Sequence, residues 1–426
     1  MLLTGSLILL VCALSFYAVL MVVSRRLFQD FQATSSEELP PNGIRPPAAV
    51  ILCIRGADPT LGACLDGILT QEYPDFEVHV VLDSRSDPAA DVVRDAIRET
   101  AGLNARVHIL EDPDARRGLK VSAILQALNL IPERFQMIAF LDADAEPHPN
   151  WLRDLVLPLQ SPGTGATSGV RWFEPSTENM GSLIRAKWNL YAVALMRHFN
   201  IAWGGSFAIR RDVLERTDLL NRWLKTLCED TCLGDTLTEA GYQVRMVPEV
   251  SMINRESTTI AGCHRFITRQ LVLTRLHSKS WIPILLFGLA LSIVSLLIPL
   301  HIAVTLLQGD VAACLVASGT LVAFAFSVTL FENRTSELVG KHGCQATNSH
   351  RQHWTWSVKP ALANYICQMV CALVSGAAFV SATFARRLEW RGIVYRVKRS
   401  QVTLVKYTPF VPAVADADSS LRDVSI

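Results

Sequence analysis

Four long apolar segments constrain the fold of this chain more than any other feature of its sequence. Residues 7–23, 282–307 and 311–331 contain no Asp, Glu, Lys or Arg and are long enough to cross a bilayer as helices. Residues 361–384 form a fourth apolar segment, in which two amide side chains weaken the pattern. The stretch between the first and second segments has the composition of a soluble protein, so we expect the chemistry of the chain to reside there.

The first apolar segment is predicted to be an uncleaved membrane anchor. A cleavable signal peptide carries positive charges before its apolar stretch and a small-residue site after it, whereas here Arg25 and Arg26 follow the stretch. Positive residues beside a span favour the cytoplasm, so the soluble stretch is predicted to be cytoplasmic. Three further crossings would place the tail outside, yet its basic sequence ARRLEWRGIVYRVKR favours the inside. Either residues 361–384 re-enter without crossing or the tail breaks the rule, and we favour an inside tail.

Charge and cysteine content argue against two other classes of protein. The 40 Lys and Arg residues balance 39 Asp and Glu residues, so the chain has no net positive field to attract nucleic acid. The ten cysteines form no C-x-x-C pair, although Cys228 with Cys232 and Cys367 with Cys371 are one helical turn apart. Because no other ligands accompany them, reduced buried thiols are favoured over a structural zinc site.

The soluble stretch alternates apolar strands with helices. After the proline-rich sequence PPNGIRPP, the segments AAVILCIRG, EVHVVLDSRSDPA, ARVHILED and QMIAFLDADAE are predicted to be strands. Such uniformly apolar strands, separated by helices, are typical of a parallel sheet covered on both faces. Ligands of these sheets bind beyond the carboxyl ends of the strands, where Asp83, Asp142 and Asp144 occur. One acid there is usually a solvated cap, but two strands that both end in Asp favour a binding site.

The sequence Asp142-Ala-Asp144 has the chemistry of a metal site. On the turn that leaves a strand, both carboxylates can converge on one ion. Hard oxygen ligands suit Mg²⁺ or Mn²⁺, whose coordination is normally completed by substrate phosphates. Lys120 stands at the start of a predicted helix, where its ammonium and the helix N-terminus would both attract an anion. Since Lys120 alone could be a surface residue, the hypothesis of a metal and a diphosphate depends on the whole set.

Several motifs occur in one order along most of the chain, membrane segments included. They are IRGADPTLGACLDGILTQEYPDFEVHVVLDSRSDPA, GLKVSAILQAL, FLDADAEPHPNWL, WGGSFAIRRDVL, LCEDTCLGDTLTEAGYQVRMVPE and the tail motif EWRGIVYRV. This series resembles the ceramide glucosyltransferase-like membrane enzymes of glycosyltransferase family 2. The resemblance implies an α/β fold of the GT-A nucleotide-sugar (Rossmann-like) type, with transmembrane helices at the N-terminus and toward the C-terminus. It also implies transfer of a sugar from a nucleotide-sugar to a lipid.

The resemblance assigns roles to individual positions. The residues that it assigns to the donor are Asp83 at the nucleoside, Lys120 and Asp142 at the diphosphate, and Gly204 and Gly205, followed by Ser206, beside the sugar. Asp142 and Asp144 are the implied metal ligands, and the implied metal is Mg²⁺ or Mn²⁺.

The resemblance assigns the general base to Asp230, in the sequence CEDT, with Glu229 beside it. An acceptor hydroxyl is a poor nucleophile until a carboxylate takes its proton in the transition state. One base without a covalent intermediate inverts the anomeric carbon, as in inverting glycosidases. The alternative, which is compatible with the first, is that Asp230 caps the N-terminus of a helix within TCLGDTLTEAG.

One motif departs from the family pattern. Many relatives carry Q/R-x-x-R-W after the base, whereas the stretch RQLVL at residues 269–273 lacks the second basic residue and the tryptophan. Four polar residues that remain nearby are candidates to serve the diphosphate: Arg265, Arg269, Gln270 and Arg275. The alternative is a basic amphipathic helix at the lipid surface. The departure counts against a processive polymer synthase and leaves open an inactive relative.

The favoured function is that of a membrane-bound inverting glycosyltransferase with several membrane spans and a cytoplasmic catalytic domain. It would move a hexose from UDP-glucose or a similar donor to ceramide, diacylglycerol or a related lipid. A processive polysaccharide synthase is the alternative enzyme, and a catalytically silent membrane scaffold is the alternative of another class. The expected partners are the donor, the lipid and the bilayer, without nucleic acid.

The apolar pattern also divides the chain into regions. The predicted regions are an N-terminal anchor (1–27), a linker (28–47), a catalytic domain (48–255), interfacial helices (256–281), a transmembrane region (282–384) and a basic tail (385–426).

Overall fold

The structure is a computed structural model that describes residues 1–33, 45–100, 104–174, 177, 179–342 and 361–410. The helices are α1 (Leu2–Ala33), α2 (Leu61–Leu69), α3 (Ala89–Glu99), α4 (Leu119–Leu130), α5 (Trp151–Val156), α6 (Met180–His198), α7 (Arg211–Arg216), α8 (Leu219–Trp223), α9 (Leu233–Glu239), α10 (Ile260–His277), α11 (Trp281–Leu307), α12 (Val311–His342) and α13 (Ala361–Phe384). The strands are β1 (Ala48–Ile54), β2 (Phe76–Leu82), β3 (Ala105–Ile109), β4 (Met137–Asp142), β5 (Thr164–Ser168), β6 (Arg171–Phe173), β7 (Ser206–Arg210), β8 (Gln243–Met246), β9 (Met252–Asn254), β10 (Arg387–Trp390), β11 (Ile393–Lys398) and β12 (Gln401–Lys406).

A seven-stranded sheet forms the centre of the soluble part. Its strands lie in the order β3-β2-β1-β4-β7-β5-β8, and all neighbours are parallel except β7, which runs antiparallel to β4 and to β5. The four strands predicted from the sequence are β1 to β4, and they form the parallel half of the sheet. The prediction of a mainly parallel α/β sheet is therefore confirmed.

The register of this sheet brings the predicted acids to one edge. Ile54 at the end of β1 pairs with Leu82, so that Asp83 follows directly, and its N–H donates to the Ile54 carbonyl at 3.0 Å. On the other side of β1, Cys53 pairs with Asp142 at the end of β4. Because parallel strands end at the same edge, acids separated by almost sixty positions in the chain become neighbours.

Alternate residues of the strands pack into two separate apolar clusters. On β4, Ile138 and Phe140 belong to the cluster that continues into the long apolar helices, whereas Met137, Ala139 and Leu141 pack with α2, α3 and α5 on the opposite face. This alternation follows from the two-residue period of a strand. One face of the sheet is consequently joined to the membrane helices by a continuous apolar core.

Within the described ranges, four helices are long and apolar enough to cross a membrane: α1, α11, α12 and α13. They pack against one another through aromatic contacts such as Phe16 with Phe287, whose ring centroids are 5.1 Å apart. Their outer faces expose large apolar side chains, including Val22, Leu286 and Phe326, which are 63%, 63% and 67% exposed. Apolar surface of this extent is stable only against lipid or another protein.

The polar residues of the membrane helices are paired inside the bundle. Lys187 on α6 forms a fully buried ion pair with Glu332 on α12, and Asn364 donates to the second Glu332 oxygen at 3.1 Å. Gln368 is also buried. The two amides that weakened the apolar pattern of the last segment therefore face other helices.

The C-terminal strands β10, β11 and β12 form an antiparallel sheet that packs on the soluble part. The Leu404 N–H donates to the Ala115 carbonyl at 2.7 Å, and the Tyr395 hydroxyl accepts from the Leu119 N–H at 3.0 Å. The tail and the central sheet thus lie on the same side of the membrane helices, in agreement with the favoured placement of the tail. The assignment of that side to the cytoplasm stays a prediction.

The nine cysteines in the described ranges are free thiols. Five of them are buried as predicted, three are half-buried and Cys12 is exposed. The tenth, Cys344, lies outside those ranges. No group of three or more His, Cys, Asp or Glu side chains among the described residues is arranged to hold a metal ion.

Candidate active site

A cavity of about 310 Å³ opens at the carboxyl edge of the sheet. Its lining includes most of the residues that the sequence proposed for the site, namely Asp83, Lys120, Asp142, Asp144, Gly204, Gly205, Asp230 and Arg269. The residues Ser206, Arg265 and Arg275 do not line it. The structure therefore brings together the ends of two strands, the start of α4, the turn before β7, the loop before α9 and the distant helix α10. Their individual roles stay predictions.

Lys120 bridges two carboxylates in this cavity. Its Nζ donates to Asp142 Oδ1 at 2.6 Å, to Glu229 Oε1 at 2.5 Å and to the Gly204 carbonyl at 3.2 Å. Burial would lower the pKa of Lys120, but the two carboxylates raise it well above its usual value. Lys120 is therefore a charged residue that holds the acids of the site together.

Gly118 lets the Lys120 helix begin close to the loop before Glu229. A Cβ at position 118 would lie 2.1 Å from the Leu227 carbonyl oxygen, so only glycine fits there. The Gly118 N–H also donates to the Thr226 carbonyl at 2.8 Å. This contact fixes the start of α4 and with it the position of Lys120.

Arg171 holds Asp142 and Asp144 on the turn after β4. One Nη of Arg171 lies 3.3 Å from Asp142 Oδ2 and 3.1 Å from Asp144 Oδ1. Burial raises the pKa of Asp144 despite the nearby guanidinium, whereas Lys120 and Arg171 outweigh burial at Asp142 and lower its pKa. The sequence analysis missed Arg171, because its only signal was a basic residue at the start of the short strand β6.

The two carboxylates fit a divalent cation as a pair of ligands. Asp144 Oδ2 is buried and makes no hydrogen bond, although it lies 3.0 Å from Arg171. Two carboxylate ligands leave the remaining coordination positions of Mg²⁺ or Mn²⁺ for water and phosphate oxygens. The donor set at this turn thus suits a metal that is completed by a substrate.

Asp230 is oriented by the glycine turn that precedes β7. The Gly204 N–H donates to Asp230 Oδ2 at 2.8 Å, and the Thr231 hydroxyl donates to Asp230 Oδ1 at 3.0 Å. A Cβ at position 204 would lie 2.5 Å from Glu229 Oε1, and one at position 205 would lie 2.7 Å from Asp142 Oδ2. The glycines are therefore required for the close approach of this turn to the acids.

The alternative role of Asp230 as a helix cap is wrong. Helix α9 begins at Leu233 with Cys232 as its N-cap, and it has no side-chain cap. Only the Asp230 carbonyl takes part in this turn, where it accepts from the Leu233 N–H at 3.1 Å. The carboxylate is instead turned toward the cavity.

Glu229 is the more deeply buried of the two neighbouring acids. Its carbonyl accepts from Trp223 Nε1 at 2.9 Å, and its carboxylate binds Lys120. Burial raises its pKa to about 7; Lys120 opposes this shift and the Asp230 carboxylate adds to it.

The C-terminal tail covers Asp83, the predicted nucleoside residue. Asp83 forms an ion pair with Arg55, accepts from the Tyr407 hydroxyl at 3.2 Å and accepts from the Phe410 N–H at 3.0 Å. Burial raises the pKa of Asp83 although the Arg55 guanidinium lowers it. Nearby, Arg391 donates to both oxygens of Asp58 at 2.8 Å.

Arg269 and Arg275 on α10 point to different places. The Arg269 guanidinium lies in the cavity, 5.7 Å from the ring centroids of Phe266 and Trp390. Burial and then the charges of Arg171 and Arg391 lower its pKa to about 10. Arg275 instead donates to the Thr383 and Ala385 carbonyls at 2.6 and 2.8 Å, so its expected service to the diphosphate is not borne out by its position.

Trp390 and Arg391 were not proposed for the site, yet both line the cavity. Their signal was present in the tail motif EWRGIVYRV, which contains a Trp-Arg pair. The RQLVL stretch lacks the Arg-Trp pair of the family pattern, so the tail motif carries the same two residue types in the opposite order. Nothing local in the sequence connects that motif to the acids.

Comparison with known proteins identifies the family of the chain. A family model described as glycosyl transferase family 21 matches residues 6–403. The matched family is family 21, whereas the motifs had suggested family 2. Together with the sheet, this match confirms the GT-A-like α/β fold with membrane helices that was predicted from the sequence.

Similar curated proteins include a ceramide glucosyltransferase of Komagataella phaffii and the glycosyltransferase AglE of Haloferax volcanii. The first is 28% identical over 109 residues, 24% of this chain and 21% of the relative. The second is 24% identical over 222 residues, 51% of this chain and 67% of the relative. The chain thus spans about a fifth of the length of the first relative and two thirds of the second.

Two solved structures illustrate the structural similarity. A mannosyltransferase from Pyrobaculum calidifontis, in complex with GDP-Man and Mn²⁺, is 19% identical with a TM-score of 0.48, over 88% of this chain and 99% of that one. Glucosyl-3-phosphoglycerate synthase from Mycobacterium tuberculosis is 18% identical with a TM-score of 0.36, over 54% of this chain and 78% of that one.

Proposed function

The chain belongs to glycosyl transferase family 21, and from this membership we propose that it transfers a hexose from a nucleotide-sugar to a lipid with inversion. One observation supports the proposal most: Lys120, Asp142, Asp144 and Asp230 line a single cavity that continues between membrane helices. The name of one relative, a ceramide glucosyltransferase, supports glucose as the sugar and ceramide as the acceptor. UDP-glucose as the donor and diacylglycerol as an alternative acceptor come from the resemblance of the motifs.

The donor side of the proposed reaction uses Asp142 and Asp144 to hold Mg²⁺ or Mn²⁺. The metal would neutralise the charge that develops on the leaving diphosphate. Arg171 orients both carboxylates through one guanidinium nitrogen, and Lys120 fixes Asp142 relative to Glu229. Gly204 and Gly205 allow the backbone to approach these acids, which leaves space for the sugar beside them.

The acceptor side of the proposed reaction uses Asp230 as general base. The carboxylate takes the proton of the acceptor hydroxyl while the hydroxyl oxygen forms its bond to the anomeric carbon and the bond to the diphosphate breaks. The Gly204 N–H and the Thr231 hydroxyl hold the carboxylate in one orientation. A single displacement of this kind inverts the anomeric centre.

The charges beside the first apolar stretch support a proposed orientation in the membrane. Arg25 and Arg26 after the first apolar stretch favour a cytoplasmic location for the central sheet. The donor would then reach the site from the cytoplasm.

The test of this function is the identification of the product. A host that expresses the chain is fed labelled UDP-sugars, and its lipids are separated by thin-layer chromatography. We expect one new labelled glycolipid. A labelled polymer would instead support a processive synthase. If the purified protein shows no metal-dependent hydrolysis of UDP-sugars, the result would support a silent scaffold.

The metal turn gives a first prediction. Asp142→Asn or Asp144→Asn should abolish metal-dependent UDP binding while the fold survives, because the amide oxygen can still accept from Arg171. Titration calorimetry with Mg²⁺ or Mn²⁺ measures this binding, and Asp91→Asn on the exposed face of α3 is the matched control. Unchanged UDP affinity in both site variants would remove these residues from the metal site.

A further inference from the structure

The cavity extends beyond the acids into the membrane helices. It continues between α6, α10, α11 and α13, and its lining there includes Phe287, Leu291 and Ser292 on α11 and Ala372 and Phe379 on α13. Phe287 and Leu291 are four residues apart and lie on one face of α11. This part of the cavity, which we call the helix arm, is continuous with the space beside Asp230.

The helix arm runs along the first half of α11, a helix long enough to cross a bilayer. Ser292 is about three turns beyond Trp281, or about 16 Å along α11 at the usual helical rise. This distance is roughly half of the ~30 Å hydrocarbon core of a bilayer. None of the residues that the structure describes along the arm on α11 and α13 is charged. An apolar ligand is therefore the occupant that this lining favours.

A polar group closes the deep end of the arm. Among the described residues, the lining stops at Ser292 on α11 and at Gln368 on α13. Gln368 is 2% exposed, accepts from the Tyr191 hydroxyl at 3.4 Å and donates to Ser295 Oγ at 3.4 Å. An amide at this depth opposes further entry of a hydrocarbon chain, because an apolar group there would remove its hydrogen bonds without replacing them.

We infer that the helix arm binds one hydrocarbon chain of the acceptor, whose hydroxyl then reaches Asp230. This inference rests on the proposed function. It adds the site of the hydrocarbon chain of the lipid and a limit on the length of that hydrocarbon chain. The acceptor is thus a lipid with its hydroxyl at the level of the sheet edge and one chain between α11 and α13. A sugar polymer is disfavoured in this arm, because its hydroxyl groups would find few hydrogen-bonding partners there.

The test uses substitutions that fill the arm. Ala372→Phe and Ser292→Phe place a ring in it, and Leu373→Phe and Ile293→Phe are matched controls on the outer faces of the same helices, where these residues are 56% and 51% exposed. The full chain in detergent is assayed with ceramide and with diacylglycerol, each carrying hexanoyl or palmitoyl chains. UDP affinity serves as the check of folding and of the donor site.

We expect both filling variants to raise the KM for the palmitoyl lipid at least about tenfold, with a smaller effect on the hexanoyl lipid and unchanged UDP affinity. The controls should match the wild type. Equal KM values in filling and control variants would overturn the inference while leaving the proposed function intact. A wild-type protein that glycosylates no lipid would instead overturn the proposed function.

A second measurement does not depend on the folding of any variant. A palmitoyl ceramide with a diazirine at the chain end is photolysed with the wild-type protein, and the labelled peptides are identified by mass spectrometry. Labelling near Ser292 and Gln368 is expected. Labelling confined to outward residues such as Leu286 and Leu373 would contradict a chain site inside the bundle.

Discussion

At the residue scale, the candidate site consists of carboxylates that are held together by few cations. Lys120 lies between Asp142 and Glu229, and Arg171 lies between Asp142 and Asp144. Such buried groups tolerate the loss of a partner poorly, since the remaining charge is left uncompensated. Asp→Asn keeps an oxygen that can accept from the cation, so we expect it to disturb folding less than removal of the whole side chain and to separate chemistry from folding.

Asp230 gives a prediction about rate. Asp230→Asn keeps an oxygen that can accept from the Gly204 N–H, but it cannot take the proton of the acceptor. Transfer to lipid should therefore fall about 100- to 10,000-fold, with UDP affinity and Tm nearly unchanged. Initial rates with labelled donor measure the effect, and Asp66→Asn on exposed α2 is the control. Near wild-type transfer by Asp230→Asn would move the base elsewhere, with Glu229 as the next candidate.

Glu229 gives a prediction about pH. Its pKa of about 7 means that it takes a proton as the pH falls through neutrality and gives up its ion pair with Lys120. Lys120 then pairs with Asp142 alone and competes with the metal for that carboxylate. The rate of lipid transfer should decline below about pH 7. In the pH–rate profile of Glu229→Gln, this decline should be absent. A Glu229→Gln profile that keeps the same decline would assign the titration to another group.

The same pKa shift predicts the sign of the pH dependence of stability. The folded pKa of Glu229 is higher than the ordinary value of 4.5, so protonation favours the folded state. Its contribution to stability is present below about pH 4.5 and is lost as the pH rises through about 7. The Tm of Glu229→Gln should accordingly vary less than that of the wild type across this range, as measured by thermal unfolding in detergent.

At the element scale, helix α10 joins the site to the membrane helices through two arginines with different surroundings. Arg269 extends into the cavity beside Trp390, whereas Arg275 binds the backbone at the end of α13. A cation near the C-terminal carbonyls of a helix is stabilising, because the last carbonyls have no partner within the helix. One helix thus carries a candidate binding residue and a structural residue on neighbouring turns.

This difference predicts opposite results for two similar substitutions. Arg269→Ala should raise the donor KM with little change in Tm, since its guanidinium lies in the cavity. Arg275→Ala should leave the donor KM unchanged and lower stability by about 1–3 kcal/mol, because it removes two hydrogen bonds from a charged donor. Donor kinetics and thermal unfolding of both variants check this. A raised KM in both would restore a diphosphate role for Arg275.

At the scale of the whole molecule, the C-terminal tail lies over the edge of the sheet where the nucleoside is proposed to bind. The Tyr407 hydroxyl and the Phe410 N–H each donate to one carboxylate oxygen of Asp83. The Phe410 ring also contacts Gly56, and a Cβ at position 56 would lie 2.7 Å from that ring. A donor that uses Asp83 must therefore displace this segment.

Removal of the tail segment tests that competition. Deletion of residues 407–426 should lower the donor KM about threefold to tenfold, because two hydrogen bonds to Asp83 no longer have to be broken. Deletion of residues 411–426 is the matched control, since it keeps Tyr407 and Phe410. A donor KM that rises after the longer deletion would show that the segment is part of the donor site.

The sequence alone was sufficient for the membrane helices, for the parallel half of the central sheet and for most of the residues of the candidate site, but not for the strands β5 to β12. Apolar length predicted the membrane helices, and strands alternating with helices predicted the sheet, because both patterns depend on neighbouring residues. Strand direction then placed Asp83 and Asp142 at one edge, since parallel strands end together. The donor-side and base residues taken from the resemblance line the cavity, except Ser206.

The tertiary structure alone decided which partners these residues have. Arg171 at Asp144, the Lys120 bridge to Glu229, the tail on Asp83 and the separation of Arg275 from the cavity all join segments far apart in the chain. A buried charge requires a partner, and this requirement is visible in the sequence. The identity of the partner is not, because it depends on which distant segments the packing of the sheet, the tail and the membrane helices brings together.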